Sequence, residues 1–292
     1  MININKPTGS PRINGSHPLA RGLVGFWLLN EGAGLKALDF SGLSNHGALT
    51  NGPTWGAGRY GKAVSFDGSN DYIEVQNSSS LQFSGAVPIT ISVLFKPAQV
   101  TGYGTFLVKG RYTSATDTNY ALRQSSTGKK LEFYFNQTAS AQWHVWTTTN
   151  DVITSTDVFY HVVVRYLFGT GSSIAVFVNG LSVAGEWSTG TGNATADVDT
   201  QKLSIGRILV YTSELFSGLI SDVRIYNRIL SSKEILSMFV NPYQLFDASS
   251  PPVLTVSSGS LIKTVSDLAI SSVKTISGLP IASVKTIAGL AL

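Results

Sequence analysis

The feature that most constrains the fold is a two-residue alternation of apolar and polar side chains, repeated in short runs along the chain. Typical runs are ITISVLF (89–95), KLEFYFN (130–136) and FYHVVVRYLF (159–168), and Gly, Asn, Asp and Ser fill the segments between runs. Successive side chains point to opposite faces of a β-strand, and β-branched and aromatic residues favour strands. A dozen or more such runs predict an all-β fold, an antiparallel sandwich of two packed sheets.

The alternation also predicts which side chains fill the space between the two sheets. Aromatic residues bury large apolar areas, so those on strands are expected to point inward. The predicted core consists of large apolar residues: Phe26, Trp27, Phe66, Phe95, Phe106, Phe133, Phe135, Val163, Phe177 and Ile225.

Two local signals predict a hairpin turn and a helix. Asn179-Gly180 separates two apolar runs and can adopt the positive φ angles of a two-residue type I′ turn. Ser231 is followed three residues later by Glu234, the spacing of a capping box at a helix start. Asn241-Pro242 is expected to end this helix, because the residue before proline avoids the α region.

The chain divides by composition into three segments. Residues 1–20 are rich in Pro, Gly and Asn and predict an extended arm, whereas residues 21–247 carry the strands. Residues 248–292 form a tail that opens with the hinge-like sequence Ser-Ser-Pro-Pro.

The tail contains an eleven-residue repeat: IKTVSDLAISS, VKTISGLPIAS and VKTIAGLAL. Each unit predicts a short strand, a small turn and a second apolar segment, and one unit is too small to bury its apolar side chains alone. The repeats would stack on one another, pair with the tails of sibling subunits or add strands to another protein, and a disordered tail is the alternative. The residues expected to carry assembly are Ile262, Val265, Leu268, Val273, Ile276, Leu279, Val284, Ile287 and Leu290.

Composition argues against several classes of function. The absence of Cys excludes disulfides, thiolate zinc sites and cysteine nucleophiles. The excess of Lys and Arg over Asp and Glu, 21 to 17, contains no basic run, so nucleic-acid binding gains no support. No stretch approaches the ~18 unbroken apolar residues of a membrane span. The N-terminus lacks the pattern of a signal peptide, so we expect a cytoplasmic protein or one released by lysis.

Four motifs resemble a known family. GLVGFWLLNEGAG, ALDFSGLSNHGALTNGPTW and GRYGKAVSFDGSNDYIEV are similar to the opening of laminin-G-like domains of the concanavalin A-like lectin/glucanase superfamily. FSGLISDVRIYNRILSSKEI is similar to the last strand and capping helix of these domains. The resemblance covers residues 21–240 and implies a jelly-roll sandwich whose concave face and rim loops serve glycans, protein partners or calcium.

The arm, with HPLARGLVGFW, and the exit NPYQLF resemble laminin-G-like proteins of tailed bacteriophages. This resemblance implies a structural protein on the virion surface, either a capsid decoration or a protein of the tail or fibre. Its implied partners are other virion proteins and sibling subunits, with a homotrimer as the expected assembly. The alternative function is a carbohydrate-binding adhesin that contacts the host, and a third, less favoured hypothesis is a glycoside hydrolase.

No catalytic site is predicted, and we expect a protein that is not an enzyme. Glycosidases need two carboxyl groups about 5–5.5 Å apart for retention or about 6.5–9.5 Å for inversion. None of the six glutamates has a carboxylate two residues away, although a pair from separate strands stays open. The chain also lacks a G-x-S-x-G elbow and HExxH spacing.

Calcium is the metal that the sequence favours. The ion prefers several oxygen ligands from carboxylates, amides and backbone carbonyls. The resemblance implies a structural acid at Asp39, with Asn45 closing the same turn and Asp222 approaching if the first and last strands pair. The alternative is that Asp39 and Asn45 are Asx-type turn residues that hold backbone N–H groups.

Candidate glycan-binding residues lie in and around the run AQWHVWTTT. Trp143 and Val145 share one face of the predicted strand and His144 and Trp146 the other, so one tryptophan is expected to be exposed, or both to lie at an edge. An exposed tryptophan can stack on a sugar ring, whereas the alternative is an inter-sheet or subunit contact. The candidates for glycan contact are Trp146, Trp143, His144, Tyr112, Asn119 and Trp187.

Overall fold

Two antiparallel sheets packed face to face confirm the predicted all-β sandwich. The computed structural model describes residues 5–9, 11–110, 118–137, 142–196, 200–208 and 214–246, and four short strands between residues 275 and 291. The strands of the sandwich are β1 (Leu23–Trp27), β2 (Lys36–Ala37), β3 (Gly47–Thr50), β4 (Thr54–Ala57), β5 (Lys62–Asp67), β6 (Tyr72–Val75), β7 (Pro88–Pro97), β8 (Gly104–Gly110), β9 (Thr118–Gln124), β10 (Leu131–Gln137), β11 (Gln142–Thr148), β12 (Tyr160–Leu167), β13 (Ala175–Val178), β14 (Leu181–Val183), β15 (Gly185–Thr189), β16 (Leu203–Ile205) and β17 (Ser217–Tyr226).

The strand order brings distant parts of the chain together. The eight-stranded sheet runs β14-β13-β12-β7-β17-β5-β4, with β1 paired beside β17, and the nine-stranded sheet runs β15-β11-β10-β9-β8-β16-β6-β3-β2. β1 and β17 are antiparallel, with Trp27 opposite Val223. The first and last strands of the sandwich therefore pair, as the resemblance implies.

All ten predicted core residues are buried, but they belong to two different clusters. Seven of them lie in the core between the sheets. The other three, Phe26, Val163 and Phe177, lie in a second cluster with Ile235 and Met238 of the helix. Their predicted place between the sheets was wrong, because the eight-stranded sheet is covered on both faces and alternation alone cannot tell which buried face a side chain occupies.

One helix, α1 (Ser232–Val240), follows β17 and has the predicted capping box. The backbone N–H of Glu234 donates to Ser231 Oγ at 3.2 Å, and the backbone N–H of Ser231 donates to Glu234 Oε2 at 2.8 Å. Residues Asn179 and Gly180 have φ angles of 52° and 81°, which confirms the left-handed turn between β13 and β14.

The N-terminal arm is anchored to the sandwich through a buried lysine. Lys6 is 3% exposed, and its ammonium donates to the backbone oxygens of Leu29 at 3.1 Å, Lys62 at 2.5 Å and Ser221 at 2.5 Å. Three acceptors match the three donors of an ammonium group. The described part of the arm is therefore fixed on the body of the protein.

The chain forms two units by contact, Met1–Phe246 and Asp247–Leu292. In the second unit, β18 (Thr275–Ile276) pairs with β19 (Leu279–Pro280), and β20 (Thr286–Ile287) pairs with β21 (Leu290–Ala291). The two hairpins are eleven residues apart and place Ile276 opposite Leu279 and Ile287 opposite Leu290. The other predicted assembly residues lie outside the described residues: Ile262, Val265, Leu268, Val273 and Val284.

Candidate functional site

The outer face of the nine-stranded sheet, which points away from the inter-sheet core, carries its own apolar cluster. Phe133 and Phe135 of β10 lie in the inter-sheet core, so Tyr134 between them points to the opposite face. There Tyr134 is paired in register with Ala121 and Val145. The half-buried Trp143 and Val145 pack against this cluster.

An arginine ties two carboxylates together on the same face. Arg123 of β9 donates from Nε to Glu132 Oε2 at 2.8 Å and from a terminal nitrogen to Glu214 Oε2 at 2.5 Å. Its Cζ lies 4.2 Å from the ring centre of Tyr103 and 4.6 Å from that of Tyr134. Burial alone would lower the pKa of Arg123, but Tyr134, Glu132 and Glu214 raise it, so the guanidinium is charged.

A buried hydroxyl lies beside this ion-pair network. Thr105 of β8 is opposite Arg123 in register and fully buried. Thr105 Oγ1 has no hydrogen-bond partner among the described residues. A buried polar atom without a partner is uncommon and indicates a place for water or a ligand group. We call this set the Arg123 site: Tyr103, Thr105, Arg123, Glu132, Tyr134, Trp143 and Glu214.

The Arg123 site combines the two kinds of contact that a hydroxyl-rich ligand needs. Tyr103 and Trp143 are half-buried, so part of each aromatic side chain is accessible. Glu132 and Glu214 are held in place by Arg123, and each uses Oε2 for that ion pair. Accessible aromatic side chains with a few fixed polar groups are typical of small-ligand sites.

The strand that carries the two tryptophans alternates as predicted, and the exposed one is Trp143. Trp146 is 4% exposed and belongs to the inter-sheet core. His144 is buried, accepts a hydrogen bond at Nδ1 from the backbone N–H of Gly192 at 3.1 Å and stacks on Phe135. Burial lowers the pKa of His144. Neither Trp146 nor His144 can contact a glycan in this arrangement, and Trp146 makes the inter-sheet contact that was the alternative.

The remaining predicted glycan contacts do not join the Arg123 site. Asn119 is 1% exposed and holds the backbone of Phe83, accepting from its N–H at 2.9 Å and donating to its oxygen at 2.7 Å. Trp187 packs against the inter-sheet core, and its Nε1 donates to the oxygen of Gly171 at 3.0 Å. Tyr112 lies outside the described residues.

Asp39 organises the turn that follows β2. Its Oδ1 accepts from the backbone N–H of Phe26 at 2.8 Å and of Ser41 at 2.9 Å. Its Oδ2 accepts from Ser41 Oγ at 2.7 Å and from the backbone N–H of Asn45 at 2.9 Å. Asp39 thus forms the Asx-type turn that the sequence offered as the alternative to a calcium site. The side chain of Asn45 instead donates from Nδ2 to the oxygen of Val24 at 2.9 Å and to Ser80 Oγ at 3.0 Å.

Asp222 is engaged by other groups. Its Oδ2 accepts from the hydroxyl of Tyr243 at 2.9 Å, and its Oδ1 lies 3.4 Å from Nε of Arg224. Within the described part of the chain, no group of three His, Asp or Glu side chains is placed to hold a metal ion. Calcium binding stays a prediction.

Sequence reasoning did not identify Tyr103, Arg123, Glu132 and Glu214 as a site. Arg123 and Glu132 are charged residues on strands that are otherwise mostly apolar or polar and uncharged, and this is a signal that the sequence contains. Their contact depends on the β9–β10 register, which places Arg123 directly opposite Glu132. Glu214 comes from the segment before β17, and no local pattern connects it to Arg123.

The two-sheet antiparallel sandwich places the protein in the jelly-roll class of β-sandwich domains. The family comparison agrees with this class: residues 67–236 match the laminin-G-like model of the concanavalin A-like lectin/glucanases superfamily. The match spans more than half of the chain, and the protein belongs to this superfamily. No curated protein sequence matches the chain.

Solved structures show the same fold at low sequence identity. The binding domain of Paraclostridial Mosquitocidal Protein 1 has a TM-score of 0.60 at 16% identity, over 76% of this chain and 52% of that one. Domain 4 of AbnA, an extracellular arabinanase from Geobacillus stearothermophilus in complex with arabinotriose, has a TM-score of 0.54 at 17% identity, over 74% of this chain and 97% of that one.

The receptor binding domain of botulinum neurotoxin D has a TM-score of 0.57 at 15% identity, over 77% of this chain and 54% of that one. The chain therefore spans about half the length of the two toxin domains. Among the described residues, no helix has the length and hydrophobicity to cross a membrane.

Proposed function

We propose that the protein is a lectin-like module that binds glycans through the Arg123 site. The observation that carries this proposal is the juxtaposition of two accessible aromatic side chains, Tyr103 and Trp143, with two carboxylates fixed by one arginine. Aromatic rings offer apolar faces to a sugar, and fixed carboxylates accept hydrogen bonds from its hydroxyl groups.

The structural comparisons support this proposal at the level of the fold. Two of the similar structures are described as toxin binding domains, and a third is a domain of an arabinanase in complex with arabinotriose. In these proteins a related sandwich serves recognition. In this chain, the residues proposed to contact the glycan are those of the Arg123 site, and the comparisons do not supply them.

The expected activity is binding without turnover. Glu132 and Glu214 come from separate segments and meet at one guanidinium, so they form a carboxylate pair of the kind that a hydrolase uses. Both are ion-paired, and an ion-paired carboxylate accepts hydrogen bonds, whereas a glycosidase also needs a protonated acid. Release of reducing ends from a bound polysaccharide, abolished in Glu132→Gln or Glu214→Gln, would replace this proposal with an enzyme.

A glycan array followed by titration of the best ligand tests the binding proposal. Trp143→Ala should weaken binding by about tenfold, since an aromatic contact contributes ~1 kcal/mol beyond its area. The matched control is Trp55→Ala, a half-buried tryptophan of the eight-stranded sheet whose Nε1 donates to the oxygen of Gly34. Equal affinities of the two variants, or no ligand on the array, would remove the Arg123 site as a glycan site.

We further propose that the tail assembles the protein, on a virion surface, as a homotrimer. The observation that favours this role is the recurrence of one hairpin at eleven residues, because isolated two-stranded hairpins are marginally stable in water and need a partner. Light scattering of the full chain should give a trimer, and Ile276→Asp with Ile287→Asp should give monomers. A monomeric unsubstituted chain would contradict the proposal.

A further inference from the structure

We infer that the Arg123 site selects uncharged glycans and rejects glycans that carry carboxylate or sulfate groups. This inference rests on the proposed glycan-binding function and adds the chemical class of the ligand. Three observations support it. Arg123 is bound to two glutamates of the protein, the described charges of the site sum to −1, and the carboxylates can only accept hydrogen bonds from a ligand.

The arginine of the site is already engaged by the protein. A guanidinium recognises an anionic sugar through paired N–H donors that form a fork. In Arg123, Nε donates to Glu132 and a terminal nitrogen donates to Glu214. The side chains of Arg123, Glu132 and Glu214 are only 6%, 12% and 9% exposed. A glycan carboxylate would therefore meet a guanidinium that is almost buried and that already donates from Nε and from one terminal nitrogen.

The charges of the site sum to an excess of one negative charge. One guanidinium faces two carboxylates, so +1 and −2 leave −1. Like charges brought together in a poorly hydrated site repel, and proteins use such repulsion to reject the wrong ligand. Among the described residues of the site, Arg123 is the cation and two carboxylates already face it, so an anionic glycan would meet this repulsion.

The hydrogen bonds that remain fit hydroxyl groups. Each glutamate uses Oε2 for Arg123, and Oε1 of both lies outside these ion pairs. Ionised carboxylates only accept hydrogen bonds, so their ligand must donate. Neutral sugars supply many donors of this kind, and Tyr103 and Trp143 supply apolar contacts.

The net charge of the whole protein attracts anionic polymers nonspecifically, and the experiment has to distinguish this attraction from binding at the Arg123 site. The formal net charge of the protein is +4, so anionic polymers will be attracted weakly to its surface. This attraction is screened by salt, with a Debye length of about 8 Å at 0.15 M ionic strength. Binding at the site itself should depend much less on salt.

Pairs of polymers built on the same sugar, one neutral and one carboxylated, test the inference. We would measure binding of the full chain to galactan and polygalacturonate, to glucan and glucuronan, and to mannan and mannuronan at 0.15 M and 0.5 M NaCl. The neutral member of the pair that binds should bind at least about tenfold more tightly than its uronic counterpart at both salt concentrations.

A charge-neutral variant gives the second arm of the test. Glu132→Gln keeps the shape of the side chain and removes one negative charge. The ratio of uronate affinity to neutral affinity should rise at least about threefold, because the repulsion of uronates falls while neutral glycans lose one carboxylate acceptor. The control is Glu74→Gln, because Glu74 also forms an ion pair on this sheet, with Lys202 at 2.7 Å, away from the Arg123 site. This control should leave both affinities unchanged.

The outcomes separate the inference from the proposed function. Uronates that bind as tightly as neutral polymers in 0.5 M NaCl, or a Glu132→Gln variant with unchanged selectivity, would overturn the charge selection and leave glycan binding in place. Absence of binding to every polymer and to the glycan array would overturn both. Neutral binding that is selective and about tenfold weaker in Trp143→Ala supports both.

Discussion

The charged residues on the outer faces of the two sheets have different surroundings. On the eight-stranded sheet, the arm and α1 cover the face, and Asp222, Arg224 and His161 beneath them are at most 5% exposed. On the nine-stranded sheet, Arg123 and its two glutamates lie beside half-exposed aromatic side chains. The first set stabilises the fold beneath the arm and the helix. The second set has side chains that are only 6% to 12% exposed, but it adjoins Tyr103 and Trp143, which are partly accessible.

Removal of Asp222 should have the largest effect on stability. Asp222→Ala takes the carboxylate from Arg224, whose guanidinium is 1% exposed, and it takes the hydrogen-bond acceptor from the Tyr243 hydroxyl. Breaking one side of a buried ion pair costs about 3–5 kcal/mol. Urea unfolding should show this loss, whereas Glu132→Gln on the other face should cost less than about 2 kcal/mol. Equal losses would contradict the division of roles between the two faces.

Low pH should reduce the free energy of unfolding through His161, which lies on the covered face. Burial lowers the pKa of His161 to about 4, with smaller opposing contributions from Asp222, which raises it, and from Arg224 and Arg59, which lower it. The unfolded chain therefore takes up this proton between pH 6.5 and 4 while the folded protein does not. Stability should fall by about 3 kcal/mol as pH decreases through this window, and this contribution should be constant below pH 4.

The His161→Gln variant isolates that contribution. The ring accepts or donates one hydrogen bond, between Nε2 and Ser92 Oγ at 2.9 Å, which a glutamine amide can replace. The unfolding free energy of the protein should fall by about 3 kcal/mol relative to that of the variant between pH 7 and pH 4, because only the protein has a histidine at this position. Parallel curves would show that His161 is not the group responsible.

The N-terminal arm should stabilise the fold through the side chain of Lys6. Lys6→Met leaves the backbone oxygens of Leu29, Lys62 and Ser221 without their ammonium donor. We expect a loss of about 2 kcal/mol in the unfolding free energy, since buried acceptors left unpaired cost ~1–3 kcal/mol. Glycan affinity should not change, because the arm covers the other sheet. Lys36→Met, an exposed lysine of β2, is the control and should be neutral.

The smallest effect is expected from one tyrosine of the open face. Tyr103→Ala should weaken glycan binding about threefold to tenfold with little change in stability, because the ring is half-buried at the surface. Tyr72→Ala is a matched control, since Tyr72 is also half-buried and also contacts an arginine, Arg207 at 5.2 Å, on the same sheet. A loss of binding in both variants would indicate a general disturbance of the sheet.

Local patterns in the sequence were sufficient for the elements and for burial. Alternation identified the strands, and the ten predicted core residues are buried because large apolar side chains on strands leave water wherever a cover exists. The capping box at Ser231 and the turn at Asn179 formed as predicted, because each depends on residues within a few positions of one another.

Local patterns were insufficient for the candidate site. The alternation of β11 was correct, but it describes two equivalent faces, and only the position of the strand in the sheet made Trp146 the buried tryptophan and Trp143 the accessible one. The turn at Asp39 shows the same limit, because a calcium ligand and a turn-forming aspartate have the same sequence pattern.

The sequence by itself therefore determined the all-β class, the family, the helix and the repeated tail, since these depend on periodicity and on motifs of neighbouring residues. Tertiary structure alone decided that Arg123 joins Glu132 and Glu214, and that the arm and the helix cover the outer face of the eight-stranded sheet. The physical reason is the sequence separation of the residues involved. Strand register and the packing of the arm and the helix bring together residues that are far apart in the chain, and no local sequence pattern predicts such contacts.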